Sequence, residues 1–197
     1  MISGAVEGPV DEAVLRVLLS HFGKNPAGIY GKNGKPDLRK KINAYNQAGH
    51  RSPWIVLVDL NRDADCAPAL RALWLPNPAP FIFFRVAVRE VEAWLLGDRE
   101  RIAAFLGIAT SKIPVNPEAL EDPKQAMVSL ASRSRRRDIR EDMVPRLGSG
   151  RIVGPAYTSR LIEFVTDSRS GWRPDVAARN SDSLNRCLLS LRGLSKG

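Results

Sequence analysis

The chain has 197 residues, of which 44% are hydrophobic, and it carries a formal net charge of +9 at pH 7. This length is enough to bury a full core, and no apolar run is long enough to span a membrane, so a membrane protein is not expected. Two cysteines and no recognisable secretory signal predict a cytoplasmic protein, while the excess of Lys and Arg favours a polyanionic partner such as nucleic acid. The two histidines lie far from other ligand residues, which argues against a zinc site.

Strand and helix patterns alternate in the first half of the chain. The residues at 2–6, 54–58 and 81–88 are predominantly apolar and predict three strands, of which 54–58 is typical of a strand buried on both faces. Helices are predicted over 11–22, 37–47 and 67–75, and the Gly-, Asn- and Lys-rich residues 23–36 predict a mobile loop. This alternation predicts an α/β fold, with a mostly parallel sheet flanked by helices.

The second half of the chain has mainly helical patterns. Helices are predicted over 90–105, 123–137, 158–165 and 181–191, with a Pro-rich stretch at 107–123 and a glycine-punctuated linker at 148–155. The predicted organisation is therefore an α/β core over residues 1–106, and a C-terminal helical part over residues 107–197 that packs on this core.

Acidic residues follow each of the three predicted strands. Glu7, Asp59 and Glu90 come at or just after the strand ends, where open parallel sheets bind their ligands. Because clustered carboxylates repel each other unless a cation offsets their charge, this agreement predicts a site for Mg²⁺ or Mn²⁺, with these three as catalytic residues. The candidate metal ligands are Glu7, Asp11, Asp59, Asn61, Asp63, Glu90 and Glu92. For Asp63 and the nearby Asp65, the ordinary alternative is a capping or turn residue.

Two basic clusters accompany these acids. Divalent ions held by carboxylates can activate water and stabilise charge on a phosphodiester, and the basic clusters could hold its backbone. The candidate nucleic-acid-binding residues are Lys32, Lys35, Arg39, Lys40, Arg133, Arg135, Arg136 and Arg137. The alternative for each cluster is a solvated surface without a ligand.

Three motifs occur in an order that resembles the TOPRIM domain: VEGPVDE with Glu7 and Asp11 spaced as E-x-x-x-D, then LVDLN around Asp59, then VREVEAW. The stretch 88–98 and the C-terminal residues 154–184 resemble a group of bacterial TOPRIM-like proteins related to OLD-type nucleases and phage-defence effectors. The resemblance implies a TOPRIM-like (Rossmann-like) sheet and a Mg²⁺-dependent nuclease acting on DNA or RNA. It also implies a host-defence setting with an ATPase partner.

One position departs from the family pattern, because Asn61 stands where the second Asp of D-x-D is expected. An amide oxygen can still ligate a metal, but it brings no negative charge. Three alternatives stay open: a weaker Mg²⁺ site, a site in which Asp63 supplies the charge, and a site without catalysis. The last alternative corresponds to a non-catalytic nucleic-acid-binding module, or to an interaction subunit of an ATPase.

Overall fold

A four-stranded, all-parallel sheet forms the centre of the computed structural model, which describes residues 1–193. The strands are β1 (Ile2–Val6), β2 (Pro26–Gly31), β3 (Trp54–Asp59) and β4 (Ile82–Ala87). They lie in the order β2-β1-β3-β4, so β2 and β4 are the two edges. The expected α/β architecture with a parallel sheet flanked by helices is confirmed.

Helices connect the strands and make up the rest of the chain. They are α1 (Pro9–His21), α2 (Lys35–Ala48), α3 (Ala67–Trp74), α4 (Val91–Gly97), α5 (Arg99–Leu106), α6 (Pro123–Ser132), α7 (Arg137–Met143), α8 (Tyr157–Thr166), α9 (Pro174–Ala177) and α10 (Asp182–Gly193). Short 3₁₀ turns lie at Thr110–Lys112, Pro117–Ala119 and Ala178–Asn180. Within residues 1–193, no helix has both the length and the apolar character that crossing a bilayer requires.

The two faces of the sheet pack into two apolar cores. Along β3, Ile55 and Leu57 belong to the core that contains α1, whereas Val56 and Val58 belong to the core beneath α2 and α3. All four side chains are buried, as the uninterrupted apolar run predicts. Helix α1 connects β1 to β2, which lies on one side of β1 in the sheet. Helices α2 and α3 connect β2 to β3 and β3 to β4, so both lead across the sheet in the opposite direction. A constant crossover hand therefore places α1 on the opposite face of the sheet from α2 and α3.

The helices beyond residue 106 pack on the α1 face. Met127, Phe164 and Leu184, from α6, α8 and α10, lie in the same apolar core as Leu15 of α1. Trp94 of α4 is fully buried in this core, and its indole N–H donates a hydrogen bond to the Ser183 hydroxyl oxygen at 2.7 Å. The apolar core therefore runs continuously across residue 106.

The prediction of a mobile loop over residues 23–36 is wrong, because β2 lies within this range. Only Ile29 of this strand is buried, and its sequence, PAGIYG, contains one Pro and two Gly. These residue types are depleted in strands, so local propensity argues against a strand here. Pairing with β1 stabilises the strand, and this pairing joins residues distant in sequence.

Two predicted helices are interrupted. The helix expected over 90–105 is divided at Asp98, whose carboxylate is fully buried and accepts a hydrogen bond from the Arg173 guanidinium at 2.7 Å. The helix expected over 123–137 ends at Ser132, and α7 begins at Arg137. The arginine-rich run therefore lies largely in a connection between two helices.

Candidate functional site

β1 and β3 are neighbours in the sheet, but the connections that leave their carboxyl ends lead to opposite sides. From β1 the chain crosses to β2 on one side, whereas from β3 it crosses to β4 on the other. Ligands of open α/β sheets bind in the crevice at such a switch point. Glu7 follows β1 directly and Asp59 ends β3, and the backbone N–H of Asp59 donates to Glu7 Oε1 at 2.9 Å. These two predicted site residues therefore lie together at the switch point.

Helix α4 brings further acids to the same place. The Asp59 carboxylate accepts a hydrogen bond from the backbone N–H of Val91 at 3.0 Å, which joins the end of β3 to the start of α4. Glu90 precedes this helix, and Glu92 lies in its first turn with 2% of its surface exposed. Asp11, in the first turn of α1, is also buried. We call Glu7, Asp11, Asp59, Glu90 and Glu92 the acidic centre.

Two lysines reach the acidic centre from opposite sides. The Lys35 ammonium lies 3.8 Å from Glu7 Oε1 and 2.5 Å from Asp63 Oδ2, and it also contacts the backbone carbonyl of Asp59. The Lys124 ammonium, from the first turn of α6, lies 3.3 Å from Glu90 Oε1 and 3.7 Å from Glu92 Oε1. Asp63 is thus linked to Glu7 by Lys35, which contacts both carboxylates. The lysines offset part of the negative charge.

Burial and mutual repulsion raise the pKa values of these acids. Burial raises the pKa of Asp11 to about 7, and the charges of Glu7 and Glu92 add to this shift. The pKa of Asp59 is raised well above its usual range, chiefly by burial and then by its acidic neighbours. Burial also raises the pKa values of Glu7 and Glu92. For Lys124, burial alone would lower the pKa, but the surrounding carboxylates outweigh it and raise the value.

Two buried carboxylate oxygens of the acidic centre have no hydrogen-bond partner. Glu92 Oε1 accepts from the Tyr157 hydroxyl at 3.2 Å, whereas Glu92 Oε2 is buried and unpartnered. Asp11 Oδ1 is also buried without a partner. A buried carboxylate oxygen without a donor is costly unless it holds a proton or faces a cation. The acidic centre therefore has unused capacity for a positively charged ligand.

No ready-made metal cage is present in the described part of the chain. Among residues 1–193, no group of three or more His, Cys, Asp or Glu side chains is arranged to hold an ion. Half of the ten carboxylate oxygens of the acidic centre are instead engaged by backbone N–H groups, by Tyr157 and by the two lysines. Mg²⁺ is commonly bound through only one or two carboxylates, with water and substrate phosphates completing its shell. The donor set fits that mode of binding.

The backbone of Asn61 connects two loops of the site, and its predicted role as a ligand concerns the side-chain amide, which takes no part in these contacts. Its backbone is left-handed, with φ of +49°, a conformation in which Asn is enriched. Its N–H donates to the Arg89 carbonyl at 2.8 Å, and its carbonyl accepts from the Arg89 guanidinium at 3.0 Å. These contacts hold the loop after β3 against the loop after β4. Asn61 thus has a clear role in the backbone of the site.

The basic residues near β2 differ in their surroundings. Lys32 pairs with Glu12 at 2.9 Å, and Lys35 contacts Glu7 of the acidic centre and Asp63. The Arg39 guanidinium stacks over the Trp74 ring at 5.7 Å, while Lys40 is exposed. This group therefore does not form one uniform phosphate-binding surface.

The arginine-rich run is farther from the acids. Lys124 lies in the first turn of α6, and Arg133 lies just past its end. A helical rise of about 1.5 Å per residue separates the two backbones by about 14 Å. Arg136 pairs with Asp138 at 2.6 Å and Arg137 with Glu141 at 2.7 Å. Arg133 and Arg135 are exposed, so they are the members of the run best placed to contact a polyanion.

Lys124 and Tyr157 are site residues that the sequence analysis does not identify. Both come from the helical part beyond residue 106, and each contacts Glu92. The proline at the start of α6 predicts a helix there, but nothing local to Lys124 or Tyr157 indicates which surface each faces. Only the packing of α6 and α8 on the α1 face brings them to the acids.

Comparison with known proteins adds no relationship: no protein-family model, no curated protein and no solved structure matches this chain. The likeness to TOPRIM domains therefore rests on the sequence motifs. Parallel α/β sheets support many unrelated activities, so the fold does not identify the function. The function has to be argued from the residues of the acidic centre.

The stability of the protein should fall as the pH rises from about 4 to about 7 in the presence of EDTA. Because the pKa of Asp11 is raised from 3.8 to about 7, the folded state binds more protons than the unfolded state in this window. Asp11→Asn removes this titration. Its effect on the free energy of unfolding should be more stabilising at pH 8 than at pH 4, by about 4 kcal/mol, since each pKa unit corresponds to about 1.4 kcal/mol. Urea unfolding at both pH values measures the difference.

The matched control is Asp175→Asn, which changes an exposed acid on α9. In this variant, the free energy of unfolding should change between pH 4 and pH 8 by the same amount as in the parent protein. If Asp11→Asn has the same pH dependence as the parent, Asp11 does not titrate as the structure indicates.

Proposed function

We propose that this protein is a divalent-metal-dependent nuclease of the TOPRIM type, which hydrolyses phosphodiester bonds of DNA or RNA. The observation that carries the proposal is the convergence of Glu7, Asp59 and Glu92 at the carboxyl edge of the parallel sheet. These acids come from separate segments of the chain, and each is at least partly buried. A cluster of this kind is costly to maintain for stability alone, which favours a functional role.

The charge balance of the acidic centre favours a cation as its ligand. Its carboxyl groups outnumber the two ammonium groups that reach them, and the acids shift one another's pKa values. A divalent ion would remove this repulsion, and the unpartnered oxygens of Asp11 and Glu92 are the first candidates to bind it, with Asp59 and Glu7 beside them. When bound, Mg²⁺ or Mn²⁺ supplies an activated water and stabilises charge on a phosphoryl group.

Other residues of the site would orient the ligands and the substrate. The Tyr157 hydroxyl holds one oxygen of Glu92, and the Val91 N–H holds one oxygen of Asp59, so both carboxylates have fixed orientations. The Lys124 side chain is one-third exposed, which leaves its ammonium accessible to a phosphate oxygen from solvent.

The sequence motifs support the nucleic-acid substrate. Glu7 and Asp11 match the E-x-x-x-D of OLD-type nucleases, and Asp59 matches the first acid of D-x-D. The net charge of +9 favours a polyanion as the partner. A phage-defence setting and an ATPase partner rest on the family resemblance alone.

A non-catalytic nucleic-acid-binding module, or an interaction subunit of an ATPase, is the second candidate. The specific observation in its favour is Asn61, which supplies no charge and whose backbone bridges two loops. In this alternative, Lys35 and Lys124 would offset part of the negative charge and no metal ion would bind. The two candidates differ in whether a metal ion promotes cleavage.

Cleavage of plasmid DNA, single-stranded DNA or tRNA should require Mg²⁺ or Mn²⁺ and should stop when EDTA is added. Asp59→Asn should reduce the rate by about 100-fold or more, because even residues that only support metal ligands contribute 10–100-fold. Asn61→Asp should preserve or raise the rate, because it adds a charge next to the acidic centre. Gel assays with purified variants measure these rates.

Asp175→Asn serves again as the control and should cleave like the parent protein. Cleavage by Asp59→Asn at the parent rate would remove this residue from the proposed site. Binding of nucleic acid without any metal-dependent cleavage would favour the second candidate.

Arg133 and Arg135 should contribute phosphate contacts without sequence preference. Replacing both by Ala should reduce the slope of log affinity against log salt by about 1.8 on duplex DNA, since each neutralised phosphate contributes about 0.9. Fluorescence anisotropy at several salt concentrations measures the slope. The control is the double replacement of Arg51 and Arg179, which are also exposed. An equal effect of the two double variants would mean that the run has no special contact with the nucleic acid.

A further inference from the structure

A cavity lies along the outer edge of β4, and none of the five acids of the acidic centre lines it. It has a volume of about 780 Å³ and is bounded by α3 on one side and α10 on the other. No strand pairs with this edge of β4 among the described residues. The volume is within the range typical of small-molecule sites. We call it the edge cavity.

One wall of the edge cavity is apolar. Its side chains come from the residue after β3, from the proline-rich turn after α3, from β4 and from the residue after β4. They are Leu60, Leu75, Pro76, Pro78, Phe84, Val86 and Val88. Such a wall offers a dry surface for the body of a ligand, and Phe84 adds an aromatic ring to it.

Two arginines face the same cavity without a counter-ion. Arg85 of β4 and Arg71 of α3 both line it, and the Arg85 Nε is buried without a hydrogen-bond partner within residues 1–193. Burial lowers the pKa of Arg85, and the neighbouring charge of Arg71 lowers it further. By contrast, Arg160 and Arg173 each pair with at least two carboxylates. Among residues 1–193, Arg85 is the partly buried arginine whose side chain has neither an ion pair nor a hydrogen bond, whereas Arg71 is exposed.

The acids nearest to these arginines do not satisfy them. Asp182 lines the cavity but pairs with Arg186 at 2.7 Å, and Asp65 is exposed. Two like charges repel each other, and the buried Arg85 Nε lacks an acceptor, so an anion bound between the two arginines would relieve both costs. A guanidinium binds carboxylate or phosphate through parallel hydrogen bonds, which an ammonium cannot match.

We propose that the edge cavity binds a small organic anion that has a carboxylate or a phosphate monoester on a flat, apolar body. Arg85 and Arg71 bind the charged group, and the wall that contains Phe84 and Leu75 binds the body. This site is separate from the acidic centre, whose negative charge would repel the same ligand.

The two cysteines provide a reporter for occupancy. Cys66 is exposed and lines the edge cavity at the start of α3. Cys187 lies on the opposite wall but is buried, and burial raises the pKa of its thiol to about 12. A thiol reagent such as DTNB should therefore react with Cys66 first, and Cys66→Ser should remove that reaction. A ligand in the cavity should slow the modification of Cys66.

The test compares charged probes with matched neutral compounds, at pH 8 in EDTA so that no metal takes part. The pairs are 1-naphthoate with 1-naphthylmethanol, and AMP with adenosine; inorganic phosphate tests the charge alone. At least one anion should slow the reaction of Cys66 about fivefold or more, while its neutral partner and inorganic phosphate should not. Arg71→Gln and Arg85→Met should each raise the anion concentration that gives half of the maximal protection about tenfold, and Arg51→Gln should leave it unchanged.

The proposal is overturned if each neutral compound protects as well as its anion, if inorganic phosphate alone protects as well, or if no probe protects. It is also overturned if Arg71→Gln leaves protection unchanged. This variant changes an exposed side chain, so its folding is not at risk even if Arg85→Met proves unstable. All of these outcomes are measured as the rate of Cys66 modification, which does not depend on cleavage activity.

Discussion

The hydrogen bond from the Asp59 N–H to the Glu7 carboxylate joins the ends of β1 and β3 at the switch point of the sheet. The rest of the acidic centre depends on this contact, because it fixes the carboxyl edge on which α1 and α4 place Asp11 and Glu92. Val91 donates to Asp59 in turn, so the start of α4 is tied to the same point. The acids are held by backbone groups of strands and helices, and such groups are more rigid than free loops.

Holding the acids together has an electrostatic cost that the fold offsets only in part. Lys35 and Lys124 lie among the carboxylates, yet the pKa values of Asp11, Asp59 and Glu92 remain raised. The C-terminal helices contribute directly, because α6 supplies Lys124 and α8 supplies the Tyr157 hydroxyl that holds Glu92. The helical part therefore completes a site whose acids all come from the first half of the chain.

The sequence predicts those features that depend on local pattern. The apolar run of β3 and the acids after β1, β3 and β4 indicate both the parallel sheet and the edge at which Glu7, Asp59 and Glu90 lie. Features that depend on distant pairing are missed, such as β2, whose Gly and Pro residues argue against a strand. Lys124 and Tyr157 are missed for the same reason, because only the packing of α6 and α8 brings them to Glu92. The separation of Arg133 from the acids likewise follows from the direction of α6.

The binding of Mg²⁺ to the purified protein tests the central claim most directly, namely that the acidic centre is built for a cation. At pH 8 the melting temperature should rise with Mg²⁺ concentration, because a ligand at one hundred times its Kd stabilises a folded protein by about 2.7 kcal/mol. The rise should be much smaller in Glu92→Gln, and at pH 5, where Asp11, with a pKa of about 7, retains its proton. A melting temperature that does not respond to Mg²⁺, or that responds equally in Glu92→Gln, would contradict the account.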